Sequence, residues 1–230
     1  IVADLARMHS GLLVISGTHG SGKTTTAASI IEQINQTQKR RIISLEKPVE
    51  YSFVSKQSII EQRQIGQDTP SFKDGIRMCL EEDVDVVYVG EMHEGLEEVV
   101  PLLIESASGN SLVIVEVNAP NTIKAVDTLL NGVLASYKNE EAARHSLADV
   151  LAAVVAQRLL PRRGGGLIPA IEVMLGNTSV KSLIRENKIY QLESIIQTSK
   201  KDGMISMDKA IEDLVHLGEV KGEDVGIARA

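Results

Sequence analysis

The chain has 230 residues, enough for one sizeable domain or one domain with a small appendage. Its 31 acidic residues outnumber the 24 basic ones, and the formal net charge of -7 argues against a nucleic-acid surface, which needs a basic face. Aromatics are 3% with no tryptophan, so the core must be aliphatic, and the single cysteine, Cys79, excludes an intramolecular disulfide and a cysteine-rich zinc site.

In chain order, residues 11–16 form a short apolar run that predicts a buried strand. Gly17-Thr18-His19-Gly20-Ser21-Gly22-Lys23-Thr24 follows and fits G-x-x-x-x-G-K-[ST], the P-loop pattern. Residues 24–34 then predict a helix, with Ala27, Ile30, Ile31 and Ile34 on one face. The glycines let the backbone turn its N–H groups onto phosphate oxygens, and the helix N-terminus adds positive partial charge. Lys23, expected to face solvent, can reach the β- and γ-phosphates, and Thr24 can ligate magnesium. Thr25, in the same first helical turn, completes a nucleotide-binding set running from Gly17 to Thr25. The bound species implied are ATP and Mg.

Residues 41–46 predict a strand ending in charge. Residues 51–54 and 58–62 predict a small strand pair, and 71–80 a helix in which Cys79 is a packed thiol. The β-branched run 84–89 predicts a strand ending at Gly90-Glu91, 95–106 a helix and 111–117 another buried strand. Such alternation implies a mainly parallel sheet flanked by helices, with ligands at the carboxyl ends of the strands. Beyond this, 122–130 and 140–159 predict helices. Arg162-Arg163-Gly164-Gly165-Gly166 is a turn that brings strand 167–175 back as a hairpin with 155–161. Short helices over 179–185, 189–198 and 207–217 end the chain. No apolar run reaches membrane-spanning length. His19, His93 and His145 lack metal-ligand spacing.

Phosphoryl transfer to water needs a carboxylate near magnesium and a group that orients the water. Glu91, after the 84–90 strand, stands where a Walker-B acid stands, and Glu50 follows the 41–46 strand. A solvated strand-end carboxylate is the other reading of each.

The pieces Glu46-Lys47-Pro48-Val49-Glu50-Tyr51, Gln62-Arg63 with Asp68-Thr69, Val89-Gly90-Glu91-Met92, Ala156-Gln157-Arg158-Leu159-Leu160-Pro161, Ser182-Leu183-Ile184-Arg185-Glu186 and Ile196-Gln197-Thr198 with Gly203-Met204 make the resemblance specific. The chain resembles a PilT-type ATPase, the type IV pilus retraction motor of the secretion-ATPase superfamily, from about residue 11 to residue 217. The single cysteine and Leu183-Ile184-Arg185-Glu186 favour the retraction subfamily over the assembly and type II secretion ATPases with their four-cysteine zinc insertion.

The resemblance implies an α/β fold with a RecA-like P-loop NTPase core over residues 1–177 and a helical subdomain over 178–230. A PAS-like domain is expected upstream of Ile1. It implies Glu50 as catalytic glutamate and Glu91 as Walker-B glutamate, the latter holding Mg with Thr24, directly or through water. It also implies a homo-hexamer in the full-length protein, a cytoplasmic location peripheral to the membrane's inner face, and an inner-membrane pilus platform protein as partner.

The chain departs from the family pattern at several positions. Lys47 replaces an aspartate, His93 an arginine, Asn110 and Asn118 the two histidines of the His box, and Glu81 and Thr128 two further arginines, while Arg77 is retained. These changes motivate two alternatives: a catalytically weakened subunit that regulates or scaffolds an active paralogous ATPase, and a secretion or DNA-uptake ATPase of the same superfamily.

Overall fold

The computed structural model describes residues 1–137 and 139–223. The last residues of the expected helical subdomain, 224–230, lie outside the described residues. A seven-stranded sheet runs in the order β3-β2-β4-β5-β1-β6-β7. Its strands are β1 (Gly11–Gly17), β2 (Arg41–Glu46), β3 (Ile59–Gln64), β4 (Val86–Val89), β5 (Leu112–Asn118), β6 (Leu151–Pro161) and β7 (Leu167–Leu175). The first six are mutually parallel, and β7 closes the edge antiparallel to β6. This is the α/β, RecA-like architecture expected: β5 lies between the P-loop strand β1 and the strand β4 that leads to Glu91.

Both faces of the sheet are covered, which is why its central strands read as continuous aliphatic runs. One face packs Leu13, Ile15, Val86, Tyr88 and Ile114 against α1 (Val2–Leu5) and α2 (Lys23–Thr37). The other packs Leu12, Val14, Val87, Val113 and Val115 against α3 (Phe72–Glu81), α4 (Leu96–Ser108), α5 (Thr122–Ser136) and α6 (Glu140–Val150). Cys79 is buried in this second layer, and burial pushes its thiol up to about 11, so it is packed rather than reactive. Among the described residues no helix is long and apolar enough to cross a membrane.

Two sequence expectations fail here. Residues 51–54 form no strand, and Ile59–Gln64 pairs in parallel with β2. The Gln62 side chain satisfies the backbone that a ladder would have used: its Oε1 accepts from Phe53 N at 2.9 Å, and its Nε2 donates to Tyr51 O at 2.7 Å. The expected helix over 140–159 ends at Val150. Residues 151–156 carry apolar side chains on both faces of a strand that pairs with β1 on one side and β7 on the other, and that burial overrides helical spacing.

After β7 come α7 (Thr178–Arg185), α8 (Leu192–Thr198) and α9 (Met207–His216). Val180, Ile184, Leu192 and Ile196 belong to the same apolar cluster as the sheet. Glu172 on β7 fastens α9 to the core. Its buried carboxylate accepts from Thr122 N at 2.9 Å and Thr122 Oγ1 at 2.8 Å, and from Met207 N at 3.1 Å. One anion thus serves the first residues of α5 and α9 together. Glu172→Gln removes that charge and at least one acceptor. Urea unfolding should show a loss of roughly 1–3 kcal/mol; an unchanged midpoint would contradict the joint role.

Candidate functional site

The P-loop runs from the end of β1 into α2. Gly22 precedes the helix at φ 86°, in the left-handed region, and α2 has no side-chain cap and no acidic residue in its first turn. The first backbone N–H groups of α2 are therefore free of internal competitors for an anion. Gly17 is fixed by space: a Cβ there would come within 2.2 Å of Ser21 Oγ and 2.7 Å of Gln157 O. Thr18, His19 and Gly20 are exposed at the crest of the loop.

Lys23 does not face solvent as expected; it is 3% exposed. Its ammonium donates to Gly17 O at 3.1 Å and Thr18 O at 3.0 Å, and meets Glu91 Oε2 at 3.2 Å. A buried ammonium needs acceptors, and the loop carbonyls and Glu91 supply them. The structure thus brings together two sequence-predicted site residues from different strands. The second oxygen of Glu91 is buried without a partner.

Glu50 lies in the loop after β2 and is exposed. It is held from two sides. Its backbone amide bonds the Glu46 carboxyl, which burial pushes up from its ordinary value despite help from Ser44 Oγ at 2.7 Å. Tyr51, next to it, shares a 2.8 Å hydrogen bond between its phenol and Thr25 Oγ1, tying this loop to the first turn of α2. A cavity of about 600 Å³ opens beside Glu91, with Lys47, Phe72, His93 and Glu98 in its wall.

Two residues of the site escaped the sequence reading. Gln157 on β6 donates to Ser21 O at 2.6 Å and accepts from Thr26 Oγ1 at 2.7 Å, clamping the loop to α2. Its signal was present, since Ala156-Gln157-Arg158 is one of the pieces that carry the resemblance. Glu116 on β5 is 2% exposed and accepts from Tyr88 OH at 2.6 Å and Thr24 Oγ1 at 3.3 Å. It interrupts a strand that otherwise reads as plain core, and nothing in its spacing marked it.

Of the residues that depart from the family pattern, Lys47, His93 and Asn118 lie at the carboxyl edge of the sheet, where the loop is, whereas Glu81 and Asn110 lie at the opposite edge, ahead of β4 and β5. Lys47, Glu81, His93, Asn110 and Asn118 are exposed. Asn118 is paired in register with Gly17, where the loop begins. Thr128 turns its hydroxyl back onto Lys124 O, within α5.

The oxygen donors of Thr24 and Glu91 suit a hard cation, and the unpartnered Glu91 oxygen is a fitting acceptor for a magnesium-bound water. No cluster of three His, Cys, Asp or Glu that could hold a metal occurs among the described residues.

The family model described as "Type II/IV secretion system protein" matches residues 1–172. The chain belongs to that family. It is 37% identical over 224 residues to a twitching motility protein of Neisseria gonorrhoeae, covering 97% of this chain and 59% of that protein. It is 33% identical over 223 residues to the type IV pilus retraction ATPase PilT of Pseudomonas aeruginosa, covering 97% of this chain and 63% of that one. Among solved structures, the pilus retraction motor PilT with bound ADP superposes with a TM-score of 0.88 at 36% identity, covering 99% of this chain and 63% of that one. The chain thus spans about three fifths of the length of these relatives.

Burial pushes the Glu116 carboxyl up from 4.5 to about 7, against the hydrogen bonds from Tyr88 and Thr24 and the attraction of Lys23. The folded chain then keeps a proton that the unfolded chain has lost. Its contribution to stability is complete below about pH 4.5 and vanishes as pH rises through about 7, a change on the order of 3 kcal/mol. Glu46, raised in the same direction, adds to that slope. In nucleotide-free, metal-free protein, Glu116→Gln should flatten the fall in stability between mildly acidic and mildly alkaline pH. Parallel pH curves for the two proteins in urea unfolding would contradict it.

Proposed function

We propose that the chain is the ATP-binding and hydrolysing motor region of a PilT-like ATPase that drives type IV pilus retraction. The observation that carries the reading is the meeting of Lys23 and Glu91 at 3.2 Å beside a helix N-terminus without a cap. The long match to retraction ATPases supports it. In this reading the backbone from Gly17 to Thr25 cradles the phosphates, and Lys23 turns from the Gly17 and Thr18 carbonyls to the β- and γ-phosphate oxygens. Thr24 and Glu91 hold magnesium, which supplies charge neutralisation at those oxygens. Glu50, poised by Glu46 and by the Tyr51 link to Thr25, orients and activates the attacking water.

The same reading makes the full-length protein a homo-hexamer, with residues 178–230 as a helical subdomain. It places the ring in the cytoplasm, against the inner face of the membrane beside a pilus platform protein. A second reading is favoured by the departures from the family pattern at Lys47, His93, Glu81, Asn110, Asn118 and Thr128. It is a weakly hydrolysing subunit that regulates an active paralogue. Turnover separates the two.

Lys23→Ala should weaken ATP binding about tenfold or more, a loss of roughly 1.4 kcal/mol. Unchanged affinity by calorimetry would sink the nucleotide-binding reading. Glu50→Gln should lower kcat by about a hundredfold, within the usual range for a general base, and leave ATP affinity intact. Equal turnover in the variant would remove Glu50 from the chemistry.

The unmodified full-length ring should hydrolyse ATP slowly. Restoring the family residues with Asn118→His and Lys47→Asp should raise kcat at nearly constant affinity, the pattern of regained transition-state contacts. No gain in that double variant would show that these positions tolerate exchange.

A further inference from the structure

Glu116 has no place in the reading above, and the packing around it gives it no structural reason to be charged. It sits near the carboxyl end of β5, opposite Ile15 in register, on the face that packs Leu13, Ile15, Tyr88 and Ile114 beneath α2. Its chain neighbours are Val115 and Val117, both buried. A valine or isoleucine would fill such a position at less cost than a carboxyl group, whose burial must be compensated by hydrogen bonds.

Among the described residues, two hydroxyls hydrogen-bond to it. Tyr88 is paired in register with Ile114, two residues before Glu116, so both side chains project from the same face. Its phenol donates to Glu116 Oε1 at 2.6 Å, and it is itself 2% exposed. Thr24 donates to the other oxygen, Oε2, at 3.3 Å. A hydroxyl that ligates a cation must turn a lone pair to the metal and give its proton elsewhere. Glu116 takes that proton. With its proton directed at Glu116, the Thr24 oxygen keeps its lone pairs free for a cation.

We propose that Glu116, itself fixed by Tyr88, is a positioning residue that orients the Thr24 hydroxyl for magnesium. It is the second carboxylate of the metal site after Glu91, and it acts from the outer sphere. The proposal rests on the nucleotide-binding reading of the P-loop. Outer-sphere carboxylates of this kind fix ligand geometry and strengthen metal binding without touching the ion.

The test is calorimetric binding of ADP in the presence of magnesium and in the presence of a chelator. In the wild-type protein magnesium should tighten ADP binding. In Glu116→Gln the neutral amide can donate to the Thr24 oxygen and turn its lone pair away. That gain from magnesium should shrink by about tenfold, in line with other second-sphere changes, with chelator-state affinity within about twofold of wild type. Tyr88→Phe removes one hydroxyl and leaves the ring packing, so it should fold normally and reduce the gain in the same direction by a smaller factor.

An undiminished magnesium gain in both variants would overturn the proposal. So would an equal loss with and without magnesium, which would mark a packing role. If Glu116→Gln does not fold, Tyr88→Phe decides alone, and an unchanged gain there overturns it. Wild-type protein that fails to bind ADP at all would sink the nucleotide-binding reading and this proposal with it; normal wild-type behaviour with unaltered variants would sink the proposal alone.

Discussion

Parallel pairing of β5 with both β1 and β4 is the constraint on which the site depends. It brings the carboxyl ends of three strands to one edge of the sheet. The P-loop and Glu91 meet there, although two helices and three strands separate them along the chain. Parallel strands need such crossovers, and here the crossovers are the helices that bury both faces. The P-loop strand is held from its other side by β6, whose Gln157 reaches up to Ser21 and Thr26. The loop is therefore braced from both neighbours of β1, and its shape is set before any ligand contact.

The polar groups of the site crowd at that edge while the body of the sheet is aliphatic. Ser16, Lys23, Ser44, Glu46, Glu116 and Gln157 are all nearly inaccessible. Each of these finds a partner near the carboxyl ends of the strands, through Val155 O, Gly17 O, Glu46, Ser44, Tyr88 and Ser21 O respectively. Buried polar groups in such a network are stiff, because breaking one hydrogen bond strands a second group away from water. The aliphatic interior has a separate origin: a chain with few aromatics must fill its core with branched residues, and branched residues make good strands.

Most of this was legible in the sequence. The P-loop carries its own punctuation, with glycine at the one position where a Cβ would strike Ser21 and at another where φ is positive. Glu91 was legible because it ends a β-branched run. The fold class followed from alternation of strands and helices. Misreadings came where a side chain or a distant strand replaced the local rule. Gln62 satisfied the backbone of residues 51–53, so no second strand was needed, and pairing with β1 and β7 made a strand of residues that helical spacing had claimed. Lys23 was misjudged because its acceptors, Gly17 O, Thr18 O and Glu91, converge only in three dimensions. Glu116 was invisible for the same reason: its meaning lies in Tyr88 across the sheet and Thr24 above it.

The division between buried and exposed parts of the site bears on how its departures from the family pattern should be weighed. The side chains that brace the loop, Lys23 and Gln157, are inside. Lys47, His93 and Asn118, the departures at the edge where the site lies, are outside. An exposed charge is worth little in water of high dielectric and much more once a covering surface excludes that water. Under the proposed function the covering surface is a neighbouring subunit, so the energetic value of these rim groups is set at the ring interface and not within one chain. A chain altered at its rim can then keep the machinery for holding nucleotide. Under that same proposal, what changes is the electrostatic environment of the phosphates at the subunit boundary, which bears on the rate of transfer more than on the affinity.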